Sequence, residues 1–295
     1  MKVNMFDEIR RNKIRSSFIM SFFLVLIGLL GGILGFMYGS WIFGLVISLI
    51  IGVVYTIIVF NSGDSMVLKL NRAKEVTKKE YPHLFHTLEG LAIAANIPTP
   101  KAYVIEDKAL NAFATGKDPK SASIVVTTGL LETMNRQELE GVVAHEMSHV
   151  KNYDIRVMML TAVLVGITVL LSNFLLRSFM YSSGDDKKGN IGIILVLIGL
   201  VLAVLTPLFS ELIKLAISRK REYMADASAA VLTRYPPGLA SALEKIKNSM
   251  PLKNANRATA HLYISNPLKK TKGFFATLFS THPPIEERIR RLKAM

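Results

Sequence analysis

Four runs of about 20 residues with almost no charge constrain this chain more than any other feature: Phe18–Tyr38, Trp41–Phe60, Val157–Leu176 and Ile191–Phe209. A helix rising about 1.5 Å per residue crosses a hydrocarbon core of roughly 30 Å in that length. A buried helix of a soluble protein would keep a polar face, and these runs keep none. The expectation is four transmembrane helices. The first run follows a basic segment, as a signal peptide would, but it is too long for one. A second run follows after only Gly39-Ser40, so the pair reads as an uncleaved helical hairpin.

Lys and Arg set the orientation. Lys2, Arg10, Arg11, Lys13 and Arg15 precede the first run and belong in the cytoplasm by the positive-inside rule. The uncharged turn at Gly39-Ser40 then falls outside. Residues 61–156 return inside, Arg177–Asn190 lies outside, and residues 213–295 end in the cytoplasm. The chain divides accordingly into a leader and hairpin (1–60), a first cytoplasmic part (61–156), a second hairpin (157–212) and a second cytoplasmic part (213–295). The net charge of +14 is accompanied by no zinc-finger, RNA-binding or helix-turn-helix pattern, so no nucleic-acid partner is expected. Its excess in the final segment, beside a span, suits anionic lipid headgroups of the bilayer. Cysteine is absent, which excludes disulfides and thiolate metal sites.

Residues 61–156 have ordinary soluble character. Tyr81–Ala95 reads as an amphipathic helix with Pro82 in its first turn and Leu84, Leu88, Leu91 and Ala95 on one stripe. Its His83 and His86 lack carboxylate company and read as solvated or half-buried. Lys101–Ile105, Asn111–Thr115 and Ser123–Thr128 read as short strands, and Thr128–Met134 as a helical turn. Asn135, with Glu138 three residues on, marks the start of the next helix.

That helix carries His145-Glu146-Met147-Ser148-His149. The spacing H-E-x-x-H sets two imidazoles one turn apart on one face, where both can hold one zinc ion, with the glutamate as general base toward a water. A catalytic zinc needs a third protein ligand and an open position. Depth locates it. His149 lies about eight residues before the third apolar run, roughly 12 Å above the membrane if helical. The chain leaves the fourth run near Glu211, so a ligand at matching height falls around positions 219–222. Glu222 is the acidic side chain in that window. Asp226, one turn on, is placed to hydrogen-bond the outer nitrogen of a bound histidine. Arg219, Lys220 and Arg221 flank Glu222, and surface ion pairing is its bland alternative.

His145–His149, then Glu222-Tyr223-Met224-Ala225-Asp226 after a transmembrane hairpin, resemble the HtpX-type membrane metalloproteases, relatives of the Ste24-type prenyl-protein proteases. The likeness extends to Asn111-Ala112-Phe113-Ala114-Thr115-Gly116 and to the closing Thr281-His282-Pro283-Pro284. It implies a mainly α membrane protein: four transmembrane helices and a cytoplasmic zincin-like α+β metalloprotease domain with a short sheet. It implies one Zn2+ on His145, His149 and Glu222, Glu146 as catalytic base and Asp226 behind the ligands. Asn111, Ala112 and Phe113 would form an exposed edge strand that holds substrate extended. The implied substrates are misfolded or damaged membrane proteins, cut at the cytoplasmic face of the cell membrane. His282, Arg288 and Arg290 are candidates to stabilise the oxyanion; for the two arginines a solvated helix face is the first reading, and for His282 a fixed turn beside its prolines is an equal one. Three rivals stand beside this reading. An intramembrane zinc protease is disfavoured by Arg136, Glu138, Glu140, Lys151 and Asp154 around the motif, since such charges are costly in hydrocarbon. A prenyl-protein protease of narrow specificity is the nearer alternative. A non-catalytic membrane scaffold is disfavoured by the intact Glu146 and ligand set.

Overall fold

The computed structural model describes residues 5–37, 39–164, 166–167, 219–256, 258–268 and 283–295. Helices α1 (Met5–Met37) and α2 (Trp41–Leu70) form a hairpin. Ser40 caps α2, its hydroxyl accepting from the Phe43 amide at 3.3 Å. The two backbones touch at glycine: a Cβ on Gly44 would lie 2.2 Å from the Gly31 carbonyl oxygen. Small residues at such crossings let helices approach closely enough to gain dispersion contact in lipid. The spans Asp7–Ile33 and Trp41–Leu70 are long and apolar enough to cross a membrane. Ile50, Ile51, Val54 and Ile57 on α2 point outward, each more than half exposed. So continuous an apolar surface belongs against hydrocarbon.

Both helices outrun the apolar stretches of the sequence. The N-terminal end of α1 reaches back ahead of Phe18 and buries Asn12 and Ser16, while α2 continues past Phe60 and buries Val67 and Leu68. These extensions join the hairpin to the soluble part. Of the other two expected spans, residues 157–164 and 166–167 are helical and the remainder lies outside the described residues. Val157, Met158, Met159 and Leu160 are buried within the protein rather than facing outward.

The soluble part is built on a four-stranded sheet of β1 (Lys74–Glu75), β2 (Lys101–Ile105), β3 (Ala112–Thr115) and β4 (Ser123–Thr127), in the order β1-β2-β4-β3. The β2–β4 pair is parallel and the other two are antiparallel, with Ala112 opposite Val126. The strands expected from sequence appear within a residue of their predicted ends. Two-residue β1 is too short to carry any alternation and was not legible. Helix α3 (Pro82–Ala95) buries Leu84, Leu88, Leu91 and Ala95 and leaves His83 and His86 exposed, as expected, although His86 does have a carboxylate near it, Glu89 at 3.9 Å.

After the single-turn α4 (Thr128–Thr133) comes α5 (Arg136–Lys151). Its start is the expected capping box: Asn135 Oδ1 accepts from the Glu138 amide and Glu138 Oε2 from the Asn135 amide, both at 2.9 Å. From Val142 to Val150 every residue is buried, so α5 is the central helix of the soluble part. Around it stand the sheet, α3, α6 (Arg219–Thr233) and α7 (Pro236–Lys247), with α8 (Ile285–Lys293) behind α6 and α7. Gly141 lets α7 come this near, because a Cβ there would sit 2.7 Å from the Leu239 backbone nitrogen. Alanine is the better helix former by about 1 kcal/mol, but overpacking against backbone costs about 1–3 kcal/mol. Gly141→Ala is therefore expected to destabilise the protein, seen as a lower thermal unfolding midpoint.

Candidate metal centre and active site

Helix α5 presents His145 and His149 one turn apart, and α6 brings Glu222 against them. The two Nε2 atoms lie 3.3 Å apart. Glu222 Oε1 is 3.4 Å from His149 Nε2, and Glu222 Oε2 is 3.8 Å from His145 Nε2. An ion with tetrahedral bonds of about 2.05 Å spaces its ligands by roughly 3.3 Å, so the two imidazole nitrogens already stand at that spacing, with one Glu222 oxygen near each of them. Each of the three side chains offers one ligand atom within 4.8 Å of the others. Glu222 is 4 % exposed, which removes the surface ion-pair alternative.

The outer ring nitrogens are both engaged by carboxylates. His145 Nδ1 meets Asp226 Oδ1 at 3.0 Å, the partner expected one turn beyond Glu222. His149 Nδ1 meets Asp154 Oδ2, also at 3.0 Å. With Nδ1–H committed to a carboxylate, each ring turns its Nε2 toward the common point. The Asp154 contact was missed from sequence, where that residue counted only as a charge flanking the motif. It becomes a partner because Tyr153 takes a left-handed conformation (φ 61) and folds Asp154 back beneath His149. An acidic residue just past the helix end was the sole signal.

Arg288 corrects the sequence reading more sharply. It does not lie on a solvated face but is 1 % exposed. Its Nε and Nη2 donate to Asp226 at 2.9 and 2.7 Å, and its Nη1 donates to the Ile264 carbonyl at 3.0 Å. Ile289 and Leu292 share its inward stripe on α8, a periodicity that placed position 288 inside. Arg290 does lie outside, paired with Glu287 at 2.8 Å.

Glu146 is buried, accepts a hydrogen bond from the Ala114 amide, and keeps Oε2 without a partner among the described residues. Burial, reinforced by the nearby Glu222 charge, pushes its pKa up to about 7, close to where a general base works best near neutral pH. Burial, with Arg288 beside it, lowers His145 to about 4. Burial acts the same way on His149, but the carboxylates of Asp154 and Glu222 outweigh it and raise that ring to about 10. Positive charge is thus favoured on the His149 side of the centre, while Arg288 and burial keep His145 neutral, as a metal ligand must be. The wider charge balance agrees: four buried carboxylates, Glu146, Asp154, Glu222 and Asp226, meet two buried guanidinium groups, Arg221 and Arg288. A divalent cation fits both the spacing and the charge.

Of the expected substrate-holding residues, Asn111, Ala112 and Phe113 do lie at the sheet edge beside α5, but they are not exposed. The reason is the chain's own segment across that edge. The Ile264 amide donates to the Ala112 carbonyl at 2.9 Å, Asn111 Nδ2 donates to the Ser265 carbonyl at 3.0 Å, and Tyr263 sits edge-on to Phe113 with ring centres 4.8 Å apart. His282 lies outside the described residues.

Comparison with known proteins places this geometry. Residues 78–295 match peptidase family M48. A "Protease HtpX homolog" of Dictyoglomus thermophilum is 58% identical over 238 residues, covering 80% of this chain and 77% of that protein. One from Caldanaerobacter subterraneus is 49% identical over 248 residues, 82% of each chain. Among solved structures, the crystal structure of S. mikatae Ste24p matches with a TM-score of 0.51 at 20% identity, covering 96% of this chain and 66% of that one, a likeness of fold. The H-E-x-x-H helix, the acidic partner from α6 and these relatives converge: the chain belongs to peptidase family M48, among its HtpX-type membrane metalloproteases.

Proposed function

We propose that this protein is a zinc-dependent endoprotease of the cytoplasmic membrane, with four spans and its active site on the cytoplasmic side, cutting unfolded or misfolded membrane proteins as quality control. The observation that carries the reading is Glu146, a buried carboxylate with one unpartnered oxygen, set beside three converging ligand atoms. His145, His149 and Glu222 would hold the ion. Zinc bound there would acidify water and polarise the scissile carbonyl. Glu146 takes the proton of the attacking water and passes it to the leaving amine, cleaving the C–N bond into a carboxylate and an amine. Asp226 and Asp154 hold the two imidazoles in one tautomer and orientation.

Substrate preference follows from β3. A peptide pairing with this edge by main-chain hydrogen bonds is read with little regard to side chains. It must also displace the Ile264 amide from the Ala112 carbonyl. Such pairing requires an extended segment, which favours unfolded proteins over folded ones. The outward apolar face of α2 and the basic final segment support a site next to the bilayer.

Chelation tests the metal directly. Purified enzyme in detergent is expected to digest an unfolded model protein, to lose that activity on zinc removal, and to regain it on stoichiometric readdition. Cleavage that persists in the fully metal-free protein would sink the zinc reading. Faster cleavage of a prenylated C-terminal peptide than of the unfolded protein would replace broad specificity with the prenyl-protein alternative.

A further inference from the structure

The two ligand histidines are braced from different parts of the chain. His145 rests on Asp226, which Arg288 holds, so that arm is built from α6 and α8, with the Ile264 carbonyl steadying Arg288. His149 rests on Asp154, and what holds Asp154 comes partly from the first membrane helix. Asn12, on α1, lies ~9 Å before Phe18 along the helix axis. It is 0 % exposed. Its Nδ2 donates to Asp154 Oδ1 at 2.7 Å and to the Asn152 carbonyl at 2.9 Å. Its Oδ1 accepts from Arg15 Nη1 at 3.1 Å and faces Arg221 Nη1 at 3.4 Å. Arg221 in turn donates to Asp154 Oδ1 at 2.9 Å.

This arrangement uses what distinguishes an amide. Both N–H donors meet oxygens and the carbonyl oxygen meets guanidinium groups, so the flipped orientation would set like against like at every contact. A carboxylate at position 12 would repel Asp154, and an aliphatic side chain would take the Asn12 donor from the Asn152 carbonyl and leave Asp154 Oδ1, among the described residues, to Arg221 alone. The same fork also ties the turn that follows α5 (Asn152) to the carboxylate it delivers (Asp154). Fixing both fixes the direction from which Oδ2 reaches His149 Nδ1.

We propose that Asn12 is a positioning residue for the metal centre: α1 sets Asp154, Asp154 sets the His149 ring, and metal affinity therefore depends on the membrane hairpin. The inference rests on the metal-site reading above and adds to it a residue that touches neither metal nor substrate. Loss of an outer partner of a metal-bound histidine lowers metal affinity by about 10–100-fold. The full-length protein in detergent is the material, with zinc affinity read by competition against a chromophoric chelator and the Co2+-substituted protein read by its visible spectrum. Asn12→Ala leaves the Asp154 carboxylate in place, so it is expected to weaken zinc by up to about 10-fold, the low end of that range, and to change the Co2+ spectrum. Ser16→Ala removes a buried hydroxyl one turn along the same helix, which bonds to the Asn12 carbonyl and not to Asp154. It is expected to leave both readings as in wild type.

An Asp154→Asn background completes the test. There Asn12→Ala should cost no further affinity, since its effect runs through that carboxylate. If Asn12→Ala fails to fold, Asn12→Ser, smaller and still polar, loses the same N–H donors and must show the same loss. Wild-type affinity in the Asn12 variant, or an equal loss with and without the Asp154 carboxylate, would overturn the inference and leave the metal site standing. Wild-type protein that takes up no zinc would overturn the metal site and this inference together.

Discussion

Glu146→Gln is expected to cut turnover on an unfolded substrate by about 10²–10⁴-fold, the share that a positioned acid–base group supplies. The substitution keeps the side chain's shape and its place against the Ala114 amide, and it leaves His145, His149 and Glu222 untouched. Bound zinc should therefore stay at one per chain while cleavage falls, measured on the same preparation by metal analysis and by product formation. That split separates Glu146 from the ligands, whose loss removes metal and activity together. Equal cleavage by variant and wild type would point to a contaminating protease and leave Glu146 without a catalytic role.

Arg288→Met is expected to have the largest effect on stability. The guanidinium is buried between Asp226, which it grips with two nitrogens, and Glu222, 3.7 Å from its Nη1. Methionine preserves much of the volume but leaves two carboxylates buried without their cation. Breaking a buried pair by removing one partner costs about 3–5 kcal/mol, mostly the penalty on the charge left behind. Thermal unfolding of the metal-free protein in detergent should show a large drop in midpoint. Arg290→Met, two residues away on the outer face of α8, should show no measurable change. Similar midpoints for the two variants would mean that Arg288 is not the counter-ion of this centre.

The Arg288 and Arg290 pair also shows where sequence reasoning met its limit. Both are arginines in one short helix, and charge alone assigns both to solvent. Position 288 shares an inward stripe with Ile289 and Leu292, and a stripe tells which face is covered without naming what covers it. Only the approach of α6, carrying Asp226, turns an arginine on that face from a burial cost into a counter-ion. The depth argument that selected Glu222 took the expected spans as a common ruler for two segments far apart in the chain, and the structure brings Glu222 beside His145 and His149. No such ruler reached Asn12, Asp154 or Arg288.

What the sequence determined by itself is local and periodic. The i, i+4 histidines share a face because of helical pitch, Asn135 and Glu138 start their helix by bonding each other, and uncharged runs long enough to span a bilayer leave few alternatives to helices in lipid. Tertiary structure decided the rest. The bond from Asn12 to Asp154 joins residues 142 positions apart, and the contact of Arg288 with His145 joins residues 143 apart. Whether an Asn, an Asp or an Arg in a polar stretch is solvated or buried depends on a partner that the local pattern does not specify. The same holds for β3: its strand character is written in its residues, but its covering by Tyr263 and Ile264 is settled only when that distant segment folds across the sheet edge.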